Sequence, residues 1–132
     1  MVIFVDANVP MYLVGGEHPN KTTVMGLLPT LTAAGEQLVT DVEVYQEILH
    51  RYHATQRLEV VDAAFEALDD LVSSILVFGR EDVLEAKDIL ASAPGLSARD
   101  AIHIAVMRRA GVNRILSFDR GFDAFQEVER VS

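Results

Sequence analysis

The chain contains no cysteine, which excludes disulfides and every metal site built on thiolates. It also has no apolar run near the roughly 18 residues that a membrane span requires. The N-terminus, MVIFVDANVP, lacks the basic lead-in of a secretory signal and reads at once as a strand. These absences fit a cytoplasmic protein with no membrane segment. Basic residues are scarce as well, with 11 Lys and Arg against 20 Asp and Glu for a net charge of −9. Phosphate binding draws on Lys and Arg, so broad electrostatic adhesion to nucleic acid is disfavoured. An enzyme acting on nucleic acid is not excluded, because the excess acid can be gathered in a metal site while a local basic rim holds the substrate. The acidity would equally suit a basic protein partner. Three catalytic templates are missing: GxGxxG, the phosphate-cradling GxxxxGK[ST], and GxSxG.

What is present is an alternation. At 132 residues the chain makes one domain, 1–132, long enough to bury an ordinary core. MVIFVD (1–6) is a β-branched and aromatic run, hence a strand. Helical spacing follows from about 20 to 34, with Pro29 expected to kink it. QLVTD (37–41) reads as a second strand and 41–54 as a helix, followed by an amphipathic helix through Leu58, Val61, Phe65, Leu68 and Val72. SILVFG (74–79) is a third strand, 80–93 a helix, 97–110 another, and RILSF (114–118) a fourth strand. EVERV (127–131) alternates like a short edge strand. Gly15-Gly16 reads as a turn. The expectation is an α/β domain, a three-layer sandwich with a mainly parallel central sheet of four to five strands.

In such a sheet ligands bind beyond the carboxyl ends of the strands, and acids gather there. Asp6 ends the first strand and Asp119 lies just past the fourth, so both should reach one edge. A turn or cap is the commoner employment for such an Asp. Asn8 is available to cap the next turn, leaving Asp6 free. In TDVEVYQEILHRYH, Thr40-x-x-Glu43 fits a capping box, whereas Glu47, a helical turn later, has no such structural task. Ser97-x-x-Asp100 also fits a capping box, but the helix it opens is apolar on most sides, which points Asp100 toward a shared crevice. Asp123 follows in the same turn as Asp119, and Ser117 is placed to donate a supporting hydrogen bond.

Four converging carboxylates repel, at up to about 4 kcal/mol per pair at 4 Å and an effective dielectric near 20. A divalent cation relieves that cost, and oxygen-only ligation favours Mg²⁺ or Mn²⁺ over zinc. An all-acid site of this kind suits metal-assisted phosphodiester hydrolysis. Glu47-x-x-His50 and Asp100-x-x-His103 have the spacing of di-iron proteins, but those sites line four-helix bundles and the strand-like runs oppose one. His50, His53 and His103 are accordingly read as surface, packing or substrate-contact residues.

The segments VIFVDANV, LVTDVEVYQEIL, LSARDAIHIAVMRRAG and RILSFDRGFD, taken together and in order, resemble the four-acid pattern of PIN-domain ribonucleases over nearly the whole chain. A stand-alone domain of this length is similar to the VapC toxins of toxin–antitoxin pairs. The resemblance implies a Mg²⁺- or Mn²⁺-dependent endoribonuclease acting on single-stranded or loop RNA, a homodimer, and inhibition by a small cognate antitoxin. It implies that Asp6, Glu47, Asp100 and Asp119 form the catalytic metal site, with Asn8, Ser117 and Asp123 accessory. Two positions depart from the commonest pattern: Phe118 replaces a frequent polar residue, and Asp41 a common small hydroxyl. Arg51, Arg99 and Arg120, among several arginines that also include Arg57, are expected to contact RNA phosphates. The alternative is a non-catalytic PIN-like module that binds protein or RNA.

Overall fold

The computed structural model describes residues 1–132. Five strands form one sheet, all neighbours parallel: β1 (Val2–Val5), β2 (Gln37–Asp41), β3 (Ser74–Leu76), β4 (Arg114–Leu116) and β5 (Glu129–Val131), in the order β3-β2-β1-β4-β5. The consecutive residues Ile3, Phe4 and Val5 are all fully buried. Successive strand residues face opposite sides of the sheet, so both faces of β1 are covered, as the unbroken apolar run requires.

The cover comes from six helices: α1 (Asn8–Val14), α2 (Pro19–Ala33), α3 (Val42–Ala54), α4 (Val61–Leu71), α5 (Arg80–Ser92) and α6 (Ala98–Ala110). They pack in two sets, α5 on α6, and α1 with α2 and α4, with α3 also meeting α4. α6 buries seven of its residues, among them Ile104, Ala105, Val106 and Met107, and ends at Gly111 in the left-handed conformation (φ 73°) that favours glycine. No helix is long and apolar enough to cross a membrane.

One element is added to those expected and two are shortened. The segment Asn8–Val14, ahead of the turn read at Gly15-Gly16, is a helix. Its Pro10 stands in the first turn, where the missing N–H costs nothing. The strands expected over 74–79 and 114–118 stop at Leu76 and Leu116, because their partner strands end opposite them at Asp41 and Val5. α2, Pro19–Ala33 with Pro29 inside it, matches the helix that the spacing predicts.

The order places β1 in the middle. The chain builds outward through β2 and β3 on one side, then crosses over to β4 and β5. The crevice beyond the carboxyl ends of β1 and β4 is therefore the switch point of the sheet, where open α/β folds bind ligands.

Candidate active site

Asp6 follows the last residue of β1 and is almost fully buried. Its own N–H donates to the carbonyl of Leu116, at 3.1 Å, which stitches it to the end of β4. Its carboxylate is held from three sides. Oδ1 accepts the Ala7 N–H at 2.8 Å, while Oδ2 accepts the Ser117 hydroxyl at 2.5 Å and the Asn8 amide at 3.3 Å. Asn8 also donates to Ser117 Oγ and accepts the Phe118 N–H, both at 3.3 Å. Asn8 and Ser117 thus fix the orientation of Asp6, and Asp6 does not cap α1.

Thr40, fully buried, does not form the expected capping box. Its hydroxyl donates to the Val5 carbonyl at 2.8 Å, and Asp41 caps α3 instead, Oδ1 accepting the Val44 N–H at 3.0 Å. Glu43 is free of capping and pairs with Arg99 at 3.4 Å. Glu47, a turn further along α3, projects into the crevice, where its Oε2 is buried without a hydrogen-bond partner. At the start of α6, Ser97 Oγ accepts the Asp100 N–H at 3.1 Å. No return bond ties up the Asp100 carboxylate, which is left to the crevice. Asp119 caps the 3₁₀ turn Arg120–Ala124, its Oδ1 accepting the Gly121 N–H at 2.8 Å.

Asp6, Glu47, Asp100 and Asp119 all line one cleft of about 620 Å³, together with Asn8. The crowding shows in their proton affinities. Burial, and then the charges of Asp6 and Asp119, push the Asp100 carboxyl up to about 7. Burial also raises the Asp6 carboxyl, against the opposing pull of His103 and Ser117.

His103 stands beneath these acids, fully buried, with its ring 5.2 Å from that of Phe4. Its Nδ1 lies 2.8 Å from Asp41 Oδ2, and its Nε2 lies 3.6 Å from Glu47 Oε2 and 3.9 Å from Asp6 Oδ1. Burial by itself would lower the imidazole, but Asp41, Glu47 and Asp6 together lift it well above its ordinary value. The Asp100-x-x-His103 spacing puts both residues on one side of a buried helix, and His103, expected at the surface, in packing or in substrate contact, is buried among the acids. Asp41, singled out as a departure from the family pattern, is the partner of His103.

The remaining candidates divide. Arg51 lines the cleft, as does Arg57, while Arg99 is engaged by Glu43 and Arg120 is exposed outside the cleft. Asp123 faces Arg130, which donates to its two oxygens at 2.9 and 3.2 Å, and it does not line the cleft. Phe118 meets Tyr12 edge-on at 5.3 Å, and Tyr12 lies 4.7 Å from His18, so one wall of the cleft is aromatic. His50 and His53 are exposed.

A parallel sheet in the order 3-2-1-4-5, with acids from four separate segments meeting at its switch point, is the architecture of a PIN domain. Residues 3–128 match the PIN domain family, and the chain belongs to it. It is 48% identical over 131 residues to ribonuclease VapC13 of Mycobacterium tuberculosis, spanning 99% of this chain and 100% of that protein. It is 37% identical over 118 residues to ribonuclease VapC23 of the same species, spanning 89% and 93%. Two solved structures share the fold. The crystal structure of VapC20 from Mycobacterium tuberculosis, described as a sarcin–ricin loop cleaving toxin, matches with a TM-score of 0.74 and 22% identity over 92% of this chain and 93% of that one. VapBC2 from Rickettsia felis, bound to a DNA fragment from its promoter, matches with a TM-score of 0.75 and 11% identity over 99% and 98%.

Proposed function

We propose that residues 1–132 act as one domain, a divalent-metal-dependent endoribonuclease and the toxin of a VapBC-type pair, with Asp6, Glu47, Asp100 and Asp119 holding Mg²⁺ or Mn²⁺. The full-length likeness to VapC ribonucleases supports the activity. The observation that carries the site is the meeting of these four acids, from four separate segments, in one cleft.

The residues fit a hard cation. Four carboxylates supply oxygen donors of the kind that Mg²⁺ and Mn²⁺ take, and Glu47 Oε2 is buried without a hydrogen-bond partner. A buried oxygen left unpaired is costly, and an ion beside it removes that cost. The ion supplies an activated water and neutralises charge developing on the departing oxygen during phosphodiester hydrolysis.

The chain's own groups do the rest. Asp6 and Asp119 are locked by backbone N–H groups, with Ser117 donating to the first and accepting from the N–H of the second. Two acids are thereby held before any ligand arrives, which limits the ordering cost at the moment of reaction. Glu47 and Asp100 keep their carboxylates free of such bonds and complete the set. Arg51 and Arg57 offer guanidinium groups to phosphates along the cleft. Tyr12 and Phe118 offer aromatic surface to an unstacked base, which supports single-stranded or loop RNA as substrate.

A small antitoxin is the expected partner, its basic groups suited to the acidic cleft, and a homodimer is the expected assembly. The test is cleavage of total RNA by antitoxin-free protein in Mg²⁺ or Mn²⁺, beside EDTA and an Asp100→Asn control. Discrete fragments lost in both controls are expected. Fragments that persist in EDTA, or no fragments from folded, metal-loaded protein, would overturn the reading.

A further inference from the structure

We propose that His103 is itself a ligand of the divalent ion, through Nε2, and that Asp41 is the residue that positions it. The inference rests on the cleft being a metal centre and changes the character of that centre, from all-oxygen donors to a mixed oxygen and nitrogen set.

The first observation is an orphan. His103 is fully buried, and its Nε2 has no hydrogen-bond partner. Buried imidazole nitrogens are normally paired. This one points among carboxylates, toward Glu47 Oε2 at 3.6 Å and Asp6 Oδ1 at 3.9 Å, and Glu47 Oε2 is likewise without a partner. The contact between these two atoms is long, and an ion bound to both would satisfy them together.

The spacing suits one ion. Bonds of about 2.1 Å put two ligands of one ion no more than ~4.2 Å apart, and both distances from Nε2 fall inside that limit. Ligand atoms of Asp6, Asp100 and His103 all lie within 4.8 Å of one another, so a small movement of the Asp100 carboxylate brings it into range.

The ring is also oriented. Asp41 Oδ2 accepts the Nδ1 proton at 2.8 Å, and Asp41 is fully buried, its other oxygen engaged in capping α3. That contact fixes the ring with Nε2 toward the acids, and an ion binding there takes the place of the Nε2 proton. The two residues depend on each other through the fold, Asp41 from the end of β2 and His103 one turn after Asp100 on α6.

A nitrogen donor moves preference from Mg²⁺ toward Mn²⁺, since Mg²⁺ takes oxygen almost exclusively whereas imidazole suits later divalent ions. The decisive measurement is pulsed electron paramagnetic resonance of the Mn²⁺-loaded protein, which reads the hyperfine coupling of a directly bound ¹⁴N. Calorimetric titration with Mn²⁺ and Mg²⁺ accompanies it. The wild-type chain should show the nitrogen coupling. His103→Asn keeps an amide donor toward Asp41 but no atom that reaches the ion. It should lose the coupling, bind Mn²⁺ at least about tenfold more weakly, and show a smaller Mn²⁺ to Mg²⁺ affinity ratio. Asp41→Asn should retain the coupling with Mn²⁺ affinity about 10- to 100-fold lower. Mn²⁺ bound to wild type without nitrogen coupling would leave the carboxylate site standing and remove His103 from it, making the imidazole a built-in counter-charge. No Mn²⁺ binding at all would remove both this proposal and the metal-dependent reading. Because the wild-type spectrum decides, a variant that fails to fold does not blunt the test.

Discussion

Replacing Asp100 by Asn should stabilise the metal-free chain while destroying its activity. Asp100 is 7% exposed, and its ligand atom lies within 4.8 Å of those of Asp6 and His103. At that separation one carboxylate pair repels by about 3 kcal/mol at an effective dielectric near 20. The rise of the Asp100 carboxyl from its ordinary 3.8 to about 7 corresponds to ~4 kcal/mol at 1.36 kcal/mol per pH unit, with burial the largest cause and the charges of Asp6 and Asp119 after it. The cleft opens to water, and screening reduces the effect to on the order of 2 kcal/mol, or ~7 °C in melting temperature for a domain of this size. The sign follows from linkage. The folded carboxyl binds its proton more tightly than the unfolded one, so the wild type loses stability as pH rises from about 4 through about 7, and the loss is complete above that. Asn carries no such charge. Melting both proteins in EDTA from pH 3 to pH 8 should therefore show a difference near zero at the acid end that grows to its full value at pH 8. Added Mn²⁺ should reverse the order, because the wild type gains about 2.7 kcal/mol at a hundredfold excess over its dissociation constant. An Asp100→Asn protein no more stable than wild type at pH 8 in EDTA would refute the electrostatic argument.

Three further outcomes are expected. Asp82→Ala should cost about 1–2 kcal/mol in urea denaturation, because Asp82 accepts both from Arg109 and from the Gly79 N–H at the start of α5. The Arg109 hydrogen bond, ahead of the Gly79 one, holds that carboxyl below its ordinary range, so the wild-type advantage should be present above pH 4 and vanish as pH falls through the depressed value. Asp123→Asn should leave Mn²⁺ affinity and cleavage within about twofold of wild type, since Asp123 is taken up by Arg130, whereas Asp119→Asn should lower Mn²⁺ affinity about 10-fold or more; equal effects in calorimetry would count against the division made here. Arg51→Ala and Arg57→Ala should each weaken binding of single-stranded RNA to an Asp100→Asn protein and reduce the slope of log affinity against log salt by about 0.7, with Arg120→Ala having less effect; an unchanged slope would take phosphate contact away from the cleft arginines.

Much of this was legible in the residues. The apolar runs at 2–5 and 115–116 announced strands covered on both faces, and the acids at their ends announced a shared edge. Asp6, Asp100 and Asp119 could be named because each follows or opens an element whose direction the alternation implies, and Glu47 because no capping task accounts for it. Other features were hidden for identifiable reasons. Helix α1 carries Pro10 in only seven residues, too short for periodicity to speak. Thr40-x-x-Glu43 has the spacing of a capping box, but Asp41, one residue on, caps the helix because β2 pairs with β3 as far as Asp41. Asp123 looked like a companion of Asp119, yet Arg130 comes from β5 to claim it, a pairing that depends on the parallel edge strand.

The sequence by itself determined the α/β class, the acid set and the family likeness, since each is written in local pattern: run length, periodicity and the order of short motifs. Only the tertiary structure decided that the order of strands is 3-2-1-4-5, that Asp41 and His103 meet at 2.8 Å across 62 residues, and that Arg51 and Arg57 rather than Arg99 and Arg120 line the cleft. Those are matters of which distant segments lie side by side. Strand pairing and helix packing settle them through burial summed over the whole core, and no local spacing in the chain encodes that sum.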